Sequence, residues 1–159
     1  MAKISLDKLK TKLKGLKRKP DEKSCGIVVF SENDNERKYL LLHYPGGHFD
    51  FPKGHVEKGE ENDERMTALR ELTEETGIKD VEFIEGYREK VHYIYNKKGT
   101  LSYKQVVFFL AKTKTTQITI SFEHRGFHWM PYTKALEKLT FENAKKLLRR
   151  AEKLLSKTN

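Results

Sequence analysis

The stretch Gly54-His-Val-Glu-Lys-Gly-Glu60, followed after nine further residues by Arg70-Glu-Leu-Thr-Glu-Glu-Thr-Gly-Ile78, decides how the chain is read. Its second half has the character of a helix end. Helical spacing puts Glu74 three residues and Glu75 four residues beyond Glu71, so all three lie on adjacent parts of one face. Like charges at these spacings repel, and carboxylates in a last turn oppose the helix dipole. Gathering them there, against local preference, points to a cation that offsets the repulsion. Oxygen donors of this kind select magnesium, manganese or calcium over zinc. Arg70 is placed to pair with a neighbouring carboxylate and fix the cluster. Taken alone, three glutamates read more readily as a solvated acidic face, and it is the surrounding sequence that reverses this.

Working outward, the pattern predicts a helix over 63–76 with Gly77 as its closing glycine. Upstream, 24–30 and 37–43 read as paired strands around a polar turn, and 44–59 reads as a loop rich in Gly, Pro, His and Phe. Downstream, 81–95 and 103–112 read as strands joined by a turn over 96–100. Shorter strands are expected over 118–122 and 126–130. A final helix over 136–156 is expected, with Thr140 as an N-cap and Ala144, Leu147, Leu148, Ala151, Leu154 and Leu155 as its apolar stripe. Residues 1–19 read as a short basic helix with Leu6, Leu9, Leu13 and Leu16 on one face, ended by Pro20. Strands mixed with a few helices predict one α/β domain with a mixed sheet. The expected division is a basic extension over 1–20 and a domain over 21–159.

Composition narrows the function classes. The chain has 159 residues, one ordinary domain, and is long enough to bury a core without covalent staples. Cys25 is the sole cysteine, which excludes a disulfide within the chain and a cysteine-based zinc site. Apolar runs such as 106–111 are too short to span a bilayer, and the N-terminus lacks an apolar signal core. These features predict a cytoplasmic setting. The net charge of +9 is unevenly spread: residues 1–20 carry +7 and residues 134–159 carry +5, so the central part is about −3. An affinity for anionic polymers, if present, belongs to the termini.

Residues 70–78 resemble, position for position, the second half of the Nudix signature, and Gly54 and Glu60 match its first half. The family places seven residues between that glutamate and the arginine. This chain has nine, and the two extra residues are placed near 61–64, with Glu61, Asp63 or Glu64 as substitutes for Glu60. The resemblance implies a Nudix fold, a mixed sheet sandwiched between helices. It implies a divalent-metal-dependent hydrolase that cuts a diphosphate bond. Carried over, Glu71, Glu74 and Glu75 are metal ligands with the carbonyl of Gly54 as a further contact. Arg70 and Glu60 support the loop. The ions are magnesium or manganese, acting on phosphate charge and on the attacking water.

Beyond the signature, the chain is similar to the asymmetric diadenosine tetraphosphate hydrolases. Three pieces carry that resemblance: His43-Tyr-Pro-Gly-Gly-His-Phe-Asp-Phe-Pro-Lys-Gly-His55, Lys104-Gln-Val-Val-Phe-Phe109 and Glu123-His-Arg-Gly-Phe-His-Trp129. A polyphosphate needs cations beyond the metals, and His43, Lys53, His55 and Lys104 are the candidates. The resemblance implies Phe127 as the aromatic that stacks on adenine, Tyr93 as a second face, and Glu123 as a distal carboxylate assisting metal or water. His128 and Trp129 read as packing residues, and His48 and His92 receive no role. The expected substrate is diadenosine tetraphosphate, cut to ATP and AMP. The alternatives are RNA 5′ ends bound through the basic termini, nucleoside triphosphates, inositol pyrophosphates, or a non-catalytic Nudix-fold binding module.

Overall fold

The structure is a computed structural model and describes residues 19–157, so the basic helix expected over 1–19 lies outside the described residues, apart from Lys19. Strands β1 (Glu22–Asn33) and β2 (Glu36–His43) form an antiparallel hairpin. Its turn is only Asp34 and Asn35, both at positive φ (51° and 62°). Asp and Asn tolerate that conformation, and such a turn matches the twist of the flanking strands. The polar residues from Ser31 therefore belong to strand, although the sequence reads them as a turn.

The expected loop 44–59 contains two short strands, β3 (Phe49–Asp50) and β4 (Lys53–His55). Strands β5 (Glu82–Lys97) and β6 (Thr100–Lys112) form a second hairpin, and β7 is Gly126–Pro131. The seven-stranded sheet runs β3-β2-β1-β6-β5, with β4 also against β1 and β7 also against β2. Pairing of β1 with β6 is parallel, from Glu22↔Lys104 to Phe30↔Lys112. The other pairings are antiparallel, so the sheet is mixed.

Three helices complete the described fold: α1 (Glu64–Thr76), α2 (Tyr132–Lys138) and α3 (Glu142–Lys157). Strand β1 is buried on both faces, as a central strand must be. Val28 and Phe30 pack with Leu147, Leu148, Ala151 and Leu155 of α3. Cys25, Ile27 and Val29 pack with Ala68 and Leu72 of α1.

Two expectations fail here. Residues 118–122 are not a strand. The amides of Thr119 and Ser121 donate to the carbonyls of Thr76 (3.1 Å) and Glu75 (3.0 Å), so the segment covers the end of α1. Ile118 and Ile120 still pack on the core, which explains their alternation. The helix expected over 136–156 is instead two helices, broken over Leu139, Thr140 and Phe141. Thr140 does not spend its hydroxyl on α3; the oxygen accepts the amide of Phe49 at 2.9 Å.

Candidate active site

The site begins with how α1 is anchored. The Asp63 side chain accepts the Met66 amide (3.0 Å), and Gly77, at φ 78°, donates to the Thr73 carbonyl (2.8 Å). Before the cap, Glu60 N–H donates to the Glu57 carbonyl and Asp63 N–H donates to the Glu60 carbonyl, at 3.0 and 2.9 Å. These successive turns accommodate the longer spacing without disturbing the helix.

Arg70 ties this turn to the carboxylates. Its Nε and Nη2 donate to the two oxygens of Glu60 at 2.8 and 3.0 Å, and Nη2 also reaches the His55 carbonyl at 2.8 Å. Nη1 donates to Glu71 at 2.9 Å and to Glu74 at 3.1 Å. Glu60 is buried and also accepts the Glu57 amide. Hydrogen bonding from Arg70 is the main reason its pKa falls to about 2. Glu60 thus needs no substitute. Glu61 accepts the Gly59 amide, Asp63 caps α1, and Glu64 pairs with Lys23 and Arg88.

Glu71 lies against β4. A Cβ on Gly54 would fall 1.8 Å from the Glu71 carboxyl carbon, so only glycine leaves room for it. Burial raises the Glu71 pKa, opposed by Arg70. Glu75 is 7% exposed, and its Oε2 has no hydrogen-bond partner among the described residues. Burial first, then the Glu71 charge, raises its pKa to about 8; Lys53 lowers it. His124 Nε2 lies 3.7 Å from Glu75 Oε2, too long for a hydrogen bond, and burial lowers the His124 pKa, so this is not an ion pair.

Two cavities adjoin. One, about 700 Å³, is lined by Glu71, Glu74, Glu75 and Glu123 together with Gly54. The other, about 760 Å³, is lined by Tyr93, Phe141, His48 and Asn143. Lys53, His55 and Lys104 line both. Burial and the neighbouring Lys53 charge lower the Lys104 pKa, while Lys53 pairs with Asp50 at 2.5 Å.

Among the described residues, no three His, Cys, Asp or Glu side chains already converge as a metal cluster. What is present is a carboxylate pair, the half-buried Glu71 and the buried Glu75, the latter with an unpartnered oxygen and a pKa raised by burial and by the Glu71 charge, beside an outer Glu74 that is 58% exposed and bound to Arg70. A hard cation relieves both the repulsion and the orphaned oxygen, so the residues fit one.

Two expected substrate residues sit elsewhere. His43 ends β2, its ring stacked on Phe49 at 4.2 Å, and lines neither cavity. Phe127 pairs with Leu42 and packs on the apolar cluster beside α1, away from both linings. The aromatic side chains that line the cavity without having been expected are Phe141, 46% exposed, His48 and Tyr95. Phe141 is in phase with the apolar stripe of α3, so by periodicity it reads as core. His48 stacks on Tyr44 (4.8 Å), a contact with no sequence signal.

The NUDIX domain model matches residues 22–151. The chain belongs to the NUDIX domain family. This NUDIX domain is 35% identical to the asymmetrical bis(5′-nucleosyl)-tetraphosphatase of Rattus norvegicus, over 86% of the chain and 97% of the relative. It is 34% identical, with the same coverage, to the corresponding protein of Mus musculus. Among solved structures it is similar to a C. elegans Ap4A hydrolase binary complex, with 30% identity, a TM-score of 0.73, and coverage of 85% of this chain and 98% of that one.

Proposed function

We propose that this NUDIX domain hydrolyses dinucleoside polyphosphates, cutting diadenosine tetraphosphate asymmetrically to ATP and AMP with magnesium or manganese. One observation carries the reading: an aromatic cavity opens into a carboxylate cavity through shared cations, and the relatives at this level of identity are tetraphosphatases of that kind. Tyr93 and Phe141 hold the adenine. Lys53, Lys104 and His55 hold the phosphates. Lys104 gains from an anion, since burial and the Lys53 charge disfavour its protonated form, just as Glu75 gains from a cation.

Glu71 and Glu75 would hold the ion, with Glu74 and the Gly54 carbonyl as outer contacts. A bound divalent ion supplies neutralisation of phosphate charge and a more acidic water. The chain itself orients the polyphosphate, keeps the carboxylates in place through Arg70 and Glu60, and offers Glu123 at the cavity edge to hold a water proton. Water adds across one phosphoanhydride bond, and the four-phosphate chain leaves as ATP and AMP. Placement and electrostatics account for the rate more than covalent chemistry.

The base position is tested by comparing two phenylalanines. Phe141→Ala raises KM for diadenosine tetraphosphate about tenfold, the worth of one stacked base. Phe127→Ala lowers Tm and leaves KM within about twofold of wild type once corrected for folded protein. The opposite pattern would restore Phe127 as the stacking residue.

A second reading, hydrolysis at RNA 5′ ends, is favoured by one feature. Lys146, Arg149, Arg150, Lys153 and Lys157 are exposed along α3, which starts beside Phe141. With the basic residues of 1–20 they make an RNA contact of the counterion-releasing kind. RNA affinity that falls steeply with salt, with a slope flattened by deleting residues 1–19, supports it; salt-independent binding counts against it. The proposal also takes 1–20 as an extension, 21–159 as the catalytic domain and the setting as cytoplasmic, in keeping with a buried free Cys25. No helix among the described residues is long and apolar enough to cross a membrane.

A further inference from the structure

A dinucleoside polyphosphate carries two nucleobases, and the proposed function seats one of them between Tyr93 and Phe141. Residues lining only the carboxylate cavity include Glu123 and His124, which belong to a tight turn on the segment between β6 and β7. The His124 amide donates to the Ser121 carbonyl at 3.1 Å, which leaves Phe122 and Glu123 as the two central residues of the turn. That turn is held from both sides. Ser121 N–H donates to the Glu75 carbonyl, Ser121 Oγ meets His124 Nδ1 at 3.0 Å, and Arg125 N–H donates to the His43 carbonyl at 2.8 Å.

Phe122 is 98% exposed, whereas the other exposed large apolar side chains among the described residues, Met66, Leu101 and Phe141, are near 45%. A central turn position favours small or polar residues, and a Phe there gains nothing from packing. An aromatic ring with no structural return, presented on a pinned turn next to a carboxylate of the catalytic cavity, is a preorganised stacking platform.

We infer that Phe122 is the binding residue for the second nucleobase, the one that leaves with the product not held between Tyr93 and Phe141. The inference rests on the proposed function. The same ring would accept any nucleobase, because stacking does not read base edges. This subsite therefore separates two-nucleoside substrates from one-nucleoside analogues and leaves base identity open.

The test uses Phe122→Ala and Phe122→Trp in the full chain, with diadenosine tetraphosphate as substrate and adenosine 5′-tetraphosphate as competitor. The competitor has the same phosphates and lacks the second nucleoside. Phe122→Ala is expected to raise KM for the substrate about five- to tenfold, leave the competitor's Ki within twofold, and leave Tm unchanged. Phe122→Trp is expected to restore KM. An unchanged KM, or equal losses for substrate and competitor, overturns the inference while leaving the proposed function standing. A wild-type protein inert on diadenosine tetraphosphate overturns both.

Discussion

Among the proposed ligands Glu75 gains most from a cation, because it is buried and its Oε2 has no hydrogen-bond partner among the described residues. Its folded pKa of about 8 compares with an ordinary value of 4.5. Below about 4.5, folded and unfolded chains both hold the proton. As pH rises from there toward 8, the unfolded chain ionises while the native chain keeps its proton, so cation-free stability falls across that window. A divalent cation favours the ionised form and reverses the trend. Magnesium should therefore raise Tm more at about pH 8 than at about pH 5.5. Glu75→Gln should abolish that difference and lower turnover by about a hundredfold or more, with the native fold retained. Thermal melts in magnesium and in chelator, with steady-state rates, check both. Full turnover of the variant at saturating magnesium would remove Glu75 from the site.

At the scale of elements, the link between loop and helix is the Glu60–Arg70 pair. Both Glu60 oxygens are used and the carboxylate is nearly dry. Glu60→Gln should cost about 2 kcal/mol, as expected for losing charge-assisted hydrogen bonds, measured by denaturant unfolding. The sign with pH is opposite to that of Glu75. The folded pKa is lowered to about 2, so the stabilisation is complete above about 4.5 and is lost as pH falls toward 2. Wild type and variant should converge in acid.

Elements also show which parts of the structure were legible beforehand. Helix α1 was, because its cap and closing glycine are local signals: Asp63 accepts an amide three residues on, and Gly77 takes a conformation few residues adopt. The carboxylate arrangement followed from that same helix. Residues 118–122 misled, because alternation reports burial on one side, and α1 rather than a strand satisfies their amides. The break over Leu139, Thr140 and Phe141 was hidden because Leu139 is itself core. That Phe141 and His48 line the aromatic cavity while Phe127 and His43 line neither cavity is likewise invisible in the sequence. Which aromatic faces a cavity depends on pairings such as Leu42↔Phe127, and these are tertiary.

Across the whole molecule, charge is segregated. Helix α1 gathers Glu71, Glu74 and Glu75 at its end, while the exposed residues of α3 are mainly Lys and Arg. Between the two layers, β4 and β6 both pair with the start of β1 and β5 lies beyond β6, so that Lys53, Tyr93 and Lys104 line adjoining cavities with the carboxylates. A four-phosphate substrate with aromatic ends matches this layout better than a single triphosphate, since it uses cation-lined, carboxylate-lined and aromatic surfaces at once. The most direct test is product analysis. The purified protein is incubated with magnesium and diadenosine tetraphosphate, with and without a chelator, and the nucleotides are separated. The account predicts ATP and AMP in equal amounts, abolished by the chelator. Two molecules of ADP, or no reaction under these conditions, would contradict it.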